Sequence, residues 1–135
     1  MPPQAGWSRV VWYWGPAIAA MASIFTASSF PTVPRLVRDV SDLLLHFAAY
    51  AGLAVLVIRA IASGRWTQLT AGSFLKAWVV SAGYGITDEV HQYLVPGRYA
   101  SVADWIADAL GAASALAMVA AVRRYRSGTR GNRAV

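Results

Sequence analysis

No cysteine occurs among the 135 residues. That excludes disulfides and thiolate metal sites, though it does not identify a compartment. Charge is scarce as well: Asp, Glu, Lys and Arg make up 13% of the chain, against 57% hydrophobic residues. A soluble domain of this size would carry shorter amphipathic segments with a charge every few residues. The six acids are outnumbered by twelve Lys and Arg, and the net charge of +6 comes largely from the tail after Val122. A basic tail beside an apolar helix is an ordinary topology signal, so nucleic acid is not expected as a partner. The chain has no internal repeat, which argues against a repeat-built transporter, and no H-E-x-x-H spacing. Its length suits one domain.

What is present instead is a series of apolar runs of about 20 residues, the length that crosses a bilayer as a helix. Spans are expected at residues 10–30, 43–61, 73–93 and 102–122. The expected fold is all-α, a polytopic membrane protein built as a four-transmembrane-helix bundle. It occupies residues 1–122, with residues 123–135 as a basic, disordered cytoplasmic tail. Trp12, Tyr13 and Trp14 anchor the first span at an interface, and Pro16 falls in its first turns. Ala27-Ser28-Ser29 faintly resembles a cleavage site, but the apolar run is long for a secretory signal, so this segment reads as a retained span. Pro31 and Pro34 end that helix in a stiff loop reaching to about Val40. Ser41 or Asp42 caps the second span, Pro96-Gly97 makes a turn, and Ser101 caps the fourth. Asp104 then takes the third helical position, where a carboxylate suits the helix N-terminus.

Lys and Arg set the orientation. Arg9, Arg59, Arg65, Lys76 and the five arginines from Arg123 onward share one side of a four-span arrangement, which leaves Arg35, Arg38 and Arg98 on the other. Both termini are therefore expected in the cytoplasm of a bacterial membrane. All six acids (Asp39, Asp42, Asp88, Glu89, Asp104, Asp108) and both histidines (His46, His91) fall on the opposite side or in the outer part of a helix. An ionisable group at a helix centre costs roughly 2.5–3.5 kcal/mol in a bilayer, less near the interface, so such a gathering marks a functional site.

Spacing arranges these groups into faces. Asp42, His46 and Tyr50 recur at i, i+4 and i+8 on one face of the second span, descending about 12 Å. Asp42 can orient His46, or act only as a cap. In the third span Gln92 is within reach of Asp88 or Glu89, and those two carboxylates point roughly 100° apart, so both should not face one ligand. Ser81 and Tyr84 continue the Asp88 face, while Gly83 and Gly85 permit close approach of another helix. His91 lies on a different face and reads as interfacial. Asp104, Asp108 and Gly111 form a face of the fourth span, and the deeper Asp108 needs a partner. Arg98 is the nearest cation in sequence, and a salt bridge from it would pin the turn. Three chemistries suit the set: a divalent metal on carboxylate and imidazole ligands, general base catalysis by Glu89 or His46 on a lipid-linked substrate, and a phosphate or carboxylate held by Arg98. Spacing does not choose among them, and no particular metal or cofactor is indicated.

The segment from Asp42 through His46 to Tyr50, followed by Asp88-Glu89-x-x-Gln92, Pro96-Gly97-Arg98, Ser101, Asp104, Asp108 and Gly111, resembles the VanZ-like family over a core of residues 42–111. Two positions depart from its pattern: Leu43 stands where Lys is common, and Asp108 where Asn is common. The resemblance implies a small bacterial integral membrane protein associated with resistance to the glycopeptide teicoplanin. The clustering of acid, base and cation at one depth makes Asp42, His46 and Glu89 the candidate catalytic residues. Asp88, Gln92, Arg98, Tyr50, Ser101, Asp104 and Asp108 become candidate substrate-binding residues. The expected partners are membrane lipids, with a lipid-linked cell-wall precursor or the glycopeptide itself. The expected role is binding or modifying an anionic lipid or wall precursor at the extracytoplasmic face. The alternative is an envelope-facing acid/base or metal-assisted enzyme on a lipid-linked substrate.

Overall fold

The computed structural model describes residues 6–30 and 41–131. It contains four α-helices, α1 (Trp7–Ser28), α2 (Asp42–Ala62), α3 (Ala71–Leu94) and α4 (Val102–Gly131), with a 3-10 turn at Trp66–Gln68 between α2 and α3. No strand occurs among the described residues. The architecture is the expected all-helical bundle. α1, α2 and α4 are long and apolar enough to cross a membrane. α3 has the length, at 24 residues, but carries Lys76, Asp88, Glu89 and His91. The expected loop at 31–40, with Pro31, Pro34, Arg35, Arg38 and Asp39, lies outside the described residues.

The helix ends follow from local chemistry. Ser41, rather than Asp42, caps α2, its hydroxyl accepting the Leu44 N–H at 3.3 Å. Thr70 and Ser73 form a reciprocal capping box at the start of α3. The Val95-Pro96-Gly97-Arg98 turn closes with Arg98 N–H donating to Val95 O at 3.1 Å. Gly97 takes φ 83°, the left-handed position that a type II turn requires after proline. Ser101 accepts the Asp104 N–H at 3.2 Å and starts α4. Two boundaries differ from expectation. α1 begins at Trp7, which puts Pro16 inside the helix rather than in its first turns. α4 runs to Gly131, through most of the segment expected to be a disordered tail. At the start of that segment the Arg123 guanidinium donates to Leu69 O at 2.6 Å and Thr67 O at 3.1 Å, tying α4 to the α2–α3 connection. Residues 132–135 lie outside the described residues.

The helices run up and down in sequence, and α2 is central, packing on α1, α3 and α4, while α1 makes no packing with α4. Tyr50, Leu53, Ala54, Val57 and Ile58 of α2 fill the core with Ala17, Ala77, Ala112 and Leu116. α2 and α4 meet closest at Gly111, where a Cβ would run into the Phe47 carbonyl. This is the small-residue contact through which membrane helices gain van der Waals packing. Two indoles tie α3 to α4: Trp78 Nε1–H donates to Ala109 O and Trp105 Nε1–H to Ala82 O, each at 3.0 Å. Tyr84 O–H reaches Met21 O of α1 at 2.7 Å. Large apolar side chains such as Leu75, Val79, Ile86, Leu110 and Met118 face outward, as lipid-facing positions do.

The two ends of the bundle differ in charge. At one end the Tyr13 ring lies beneath the guanidiniums of Arg9 and Arg59, at 5.9 and 5.5 Å. Arg9 also donates to Ser63 O and Arg59 to the carbonyls of Trp12 and Tyr13. Every described acid, and both histidines, belong to the opposite half of the molecule: the start of α2, the end of α3 and the start of α4.

Candidate functional site

At that acidic end, α2, α3 and α4 converge. The polar face of α2 forms as its spacing indicates: Asp42, His46 and Tyr50 line a cavity of about 330 Å³ together with Ile24, Asp88 and Arg98. Asp42 is exposed at its mouth, whereas His46 and Tyr50 are buried. The partner of His46 is not Asp42. Its Nδ1 lies 2.9 Å from Oδ1 of Asp108, a residue with 0% exposure on α4. Asp108 is therefore paired with imidazole and not with Arg98. Its room is provided by Gly85, where a Cβ would come within 2.8 Å of Asp108 Oδ2. Gly83, expected to share that role, faces open space.

Both acids of the α3 pair are buried, Asp88 at 3% exposure and Glu89 at 8%. They nevertheless serve different surroundings, as their angular separation implies. Asp88 accepts from Gln92 Nε2 at 3.2 Å and borders the cavity with Tyr50. Gln92 in turn accepts from Arg98 at 2.9 Å through Oε1, so the amide links carboxylate to guanidinium. Glu89 holds the backbone N–H of Ser101 at 2.6 Å and lines a separate groove of about 360 Å³ with Tyr93 and Trp105. It thus fixes the start of α4 from α3. Among the described residues the one ion pair is His46–Asp108, and the expected Arg98–Asp bridge is not formed. Asp104 is half-buried, and its carboxylate comes within 4.8 Å of donor atoms of Asp42 and His46. A second group, His46, Glu89 and Asp108, converges equally closely.

Four buried oxygens in this region have no hydrogen-bond partner: Tyr50 Oη, Asp88 Oδ1, Glu89 Oε1 and Asp108 Oδ2. Burying a polar atom unpaired is costly, about 1–3 kcal/mol each by mutational measures. Several such atoms in one place mark a site that expects donors from elsewhere. His91 stands apart, stacked on Phe25 with ring centroids 4.0 Å apart and hydrogen-bonded to Ser29 Oγ at 2.9 Å. That joins α1 to α3 near the interface. Sequence spacing did not reveal the Glu89–Ser101 clasp or the two tryptophan staples. Each links residues more than ten positions apart, beyond the reach of helical periodicity.

An apolar up-down helical bundle with a buried, partly unsatisfied polar cluster at one end defines an integral membrane protein. The VanZ/LLP1 family model matches residues 13–123. The chain belongs to that family. No curated protein and no solved structure matches it.

Proposed function

We propose that the cavity holds the polar head of an amphiphile at the outer face of the bacterial cytoplasmic membrane, both termini lying in the cytoplasm. The preferred ligand is an anionic lipid or a lipid-linked cell-wall precursor, and through it the protein acts in glycopeptide (teicoplanin) resistance. The observation that carries this reading is that Arg98 lines one cavity together with Tyr50 and Asp88, each of which keeps a buried oxygen without a partner. One guanidinium nitrogen is spent on Gln92, and its remaining N–H groups suit a phosphate. Asp88 lacks a donor for one oxygen and the Tyr50 hydroxyl lacks any partner; the hydroxyls of a sugar headgroup, which both donate and accept, suit the two. The ligand this combination favours bears both an anion and donors. Purified protein in nanodiscs, titrated with phosphatidylglycerol and with a lipid-linked saccharide phosphate, tests it. Arg98→Ala should weaken binding of both at least about tenfold, the weight of one charge-assisted contact. Unchanged affinity for both would remove the anchor of the reading.

A second reading is catalytic, and the His46–Asp108 contact favours it. A carboxylate on one ring nitrogen orients an imidazole for proton transfer through the other. Glu89 is the further candidate base or ligand, and Asp42 a relay at the mouth. Turnover of a lipid-linked substrate that is lost in Glu89→Gln would support this reading, and equal turnover would reject the assignment.

A further inference from the structure

We propose that His46, Glu89 and Asp108 form a binding site for a divalent transition-metal ion of the Zn²⁺ or Mn²⁺ class. One donor atom from each residue lies within 4.8 Å of the other two. The three come from α2, α3 and α4, so the site sits where three helices meet. Donors around a tetrahedral ion at about 2.1 Å stand roughly 3.4 Å apart, so a small inward adjustment of the side chains completes the geometry. An ion bound through His46 Nδ1 would replace the ring proton that bridges to Asp108 Oδ1 at 2.9 Å, releasing it on binding.

Charge balance gives the independent reason. Glu89 and Asp108 are more than nine-tenths buried, and each keeps one oxygen without a hydrogen-bond partner. Asp88, equally buried, is close by on the same turn of α3. Among the described residues, the guanidinium bordering this end of the bundle, Arg98, is engaged with Gln92. Buried carboxylates need a counter-charge, and a single imidazole does not balance two of them. A divalent cation does, and it uses the free oxygens. One nitrogen and two carboxylate oxygens suit zinc or manganese better than the all-oxygen preference of calcium or magnesium. Three protein ligands also leave a coordination position open.

The proposal goes beyond head-group binding and is measured without it. Full-length protein in lipid-free detergent micelles is stripped with chelator, dialysed against Zn²⁺ or Mn²⁺, and assayed for bound metal and by calorimetric titration. We expect about one ion per chain and a melting temperature raised by the metal. Glu89→Gln, Asp108→Asn and His46→Ala should each weaken binding about tenfold or more, while His91→Ala leaves it unchanged. Should a variant fail to fold, the wild-type melting shift decides. Wild-type protein with no metal-dependent shift overturns the proposal, as does affinity equal to wild type in folded Glu89→Gln and Asp108→Asn. The loss of lipid binding in Arg98→Ala would bear on the head-group reading alone.

Discussion

His46 Nδ1 and Asp108 Oδ1 stand 2.9 Å apart although 62 residues separate them in sequence. The contact joins α2 to α4 inside the bundle, immediately above the Gly111–Phe47 backbone crossing. Crossing and pair depend on each other: without the close approach, the imidazole could not reach the carboxylate.

The pair should show measurable coupling. In a double-mutant cycle of His46→Ala and Asp108→Ala, the interaction energy is expected at about 0.6 kcal/mol and no more than about 1.7 kcal/mol, the average and the maximum measured for polar pairs in a membrane protein. Asp108→Asn should lose less than Asp108→Ala, because the amide oxygen still accepts from the ring N–H. Chemical denaturation in mixed micelles measures both, and strictly additive single effects would refute the coupling.

Gly111 and Gly83 should respond oppositely. Gly111→Val drives a side chain into the Phe47 carbonyl and is expected to destabilise by about 1–3 kcal/mol or more, the range for overpacking. A Cβ at Gly83 meets nothing within 4 Å, so Gly83→Ala should be neutral or stabilising by up to about 1 kcal/mol through helix propensity. Thermal melts of the two variants side by side check the contrast.

Much of this architecture was legible in the sequence because membrane helices declare themselves by local composition. The four helices, of which α1, α2 and α4 are apolar enough to cross a membrane, the Ser101 cap and the Pro96-Gly97 turn depend on residues within a few positions of one another. The i, i+4, i+8 face of Asp42, His46 and Tyr50 likewise needs only the helical repeat, and all three line one cavity. Partners across helices were not legible. Proximity in sequence suggested Asp42 for His46 and Arg98 for Asp108, yet packing joins His46 to Asp108 and Arg98 to Gln92. Helix rotation and the depth of a glycine crossing choose among such pairs, and neither has a local signature. Arg123 likewise finds its carbonyl partners 54 and 56 residues away, a contact with no local signature.

The indole staples should contribute separately from the polar site. Trp105→Phe keeps most of the buried area but removes the hydrogen bond to Ala82 O, and Trp78→Phe does the same at Ala109 O. Each is expected to cost about 0.5–1.5 kcal/mol. Their effects should couple rather than add, because the two bonds lie one helical turn apart on the same α3–α4 seam, Trp78 four residues from Ala82 and Trp105 four residues from Ala109. Metal affinity should be unchanged in Trp78→Phe, whose staple lies farther from the carboxylates.

The most direct test concerns the side of the membrane on which the polar end lies. The protein has no cysteine, so a single one can be introduced at exposed Tyr99, beside Arg98, or at exposed Thr129 near the end of α4. Intact bacterial cells are then treated with a membrane-impermeant maleimide. Tyr99→Cys should label at once, and Thr129→Cys only after the membrane is opened. Labelling of Thr129→Cys in intact cells with Tyr99→Cys protected would put the acidic cavity in the cytoplasm and contradict an envelope-facing site.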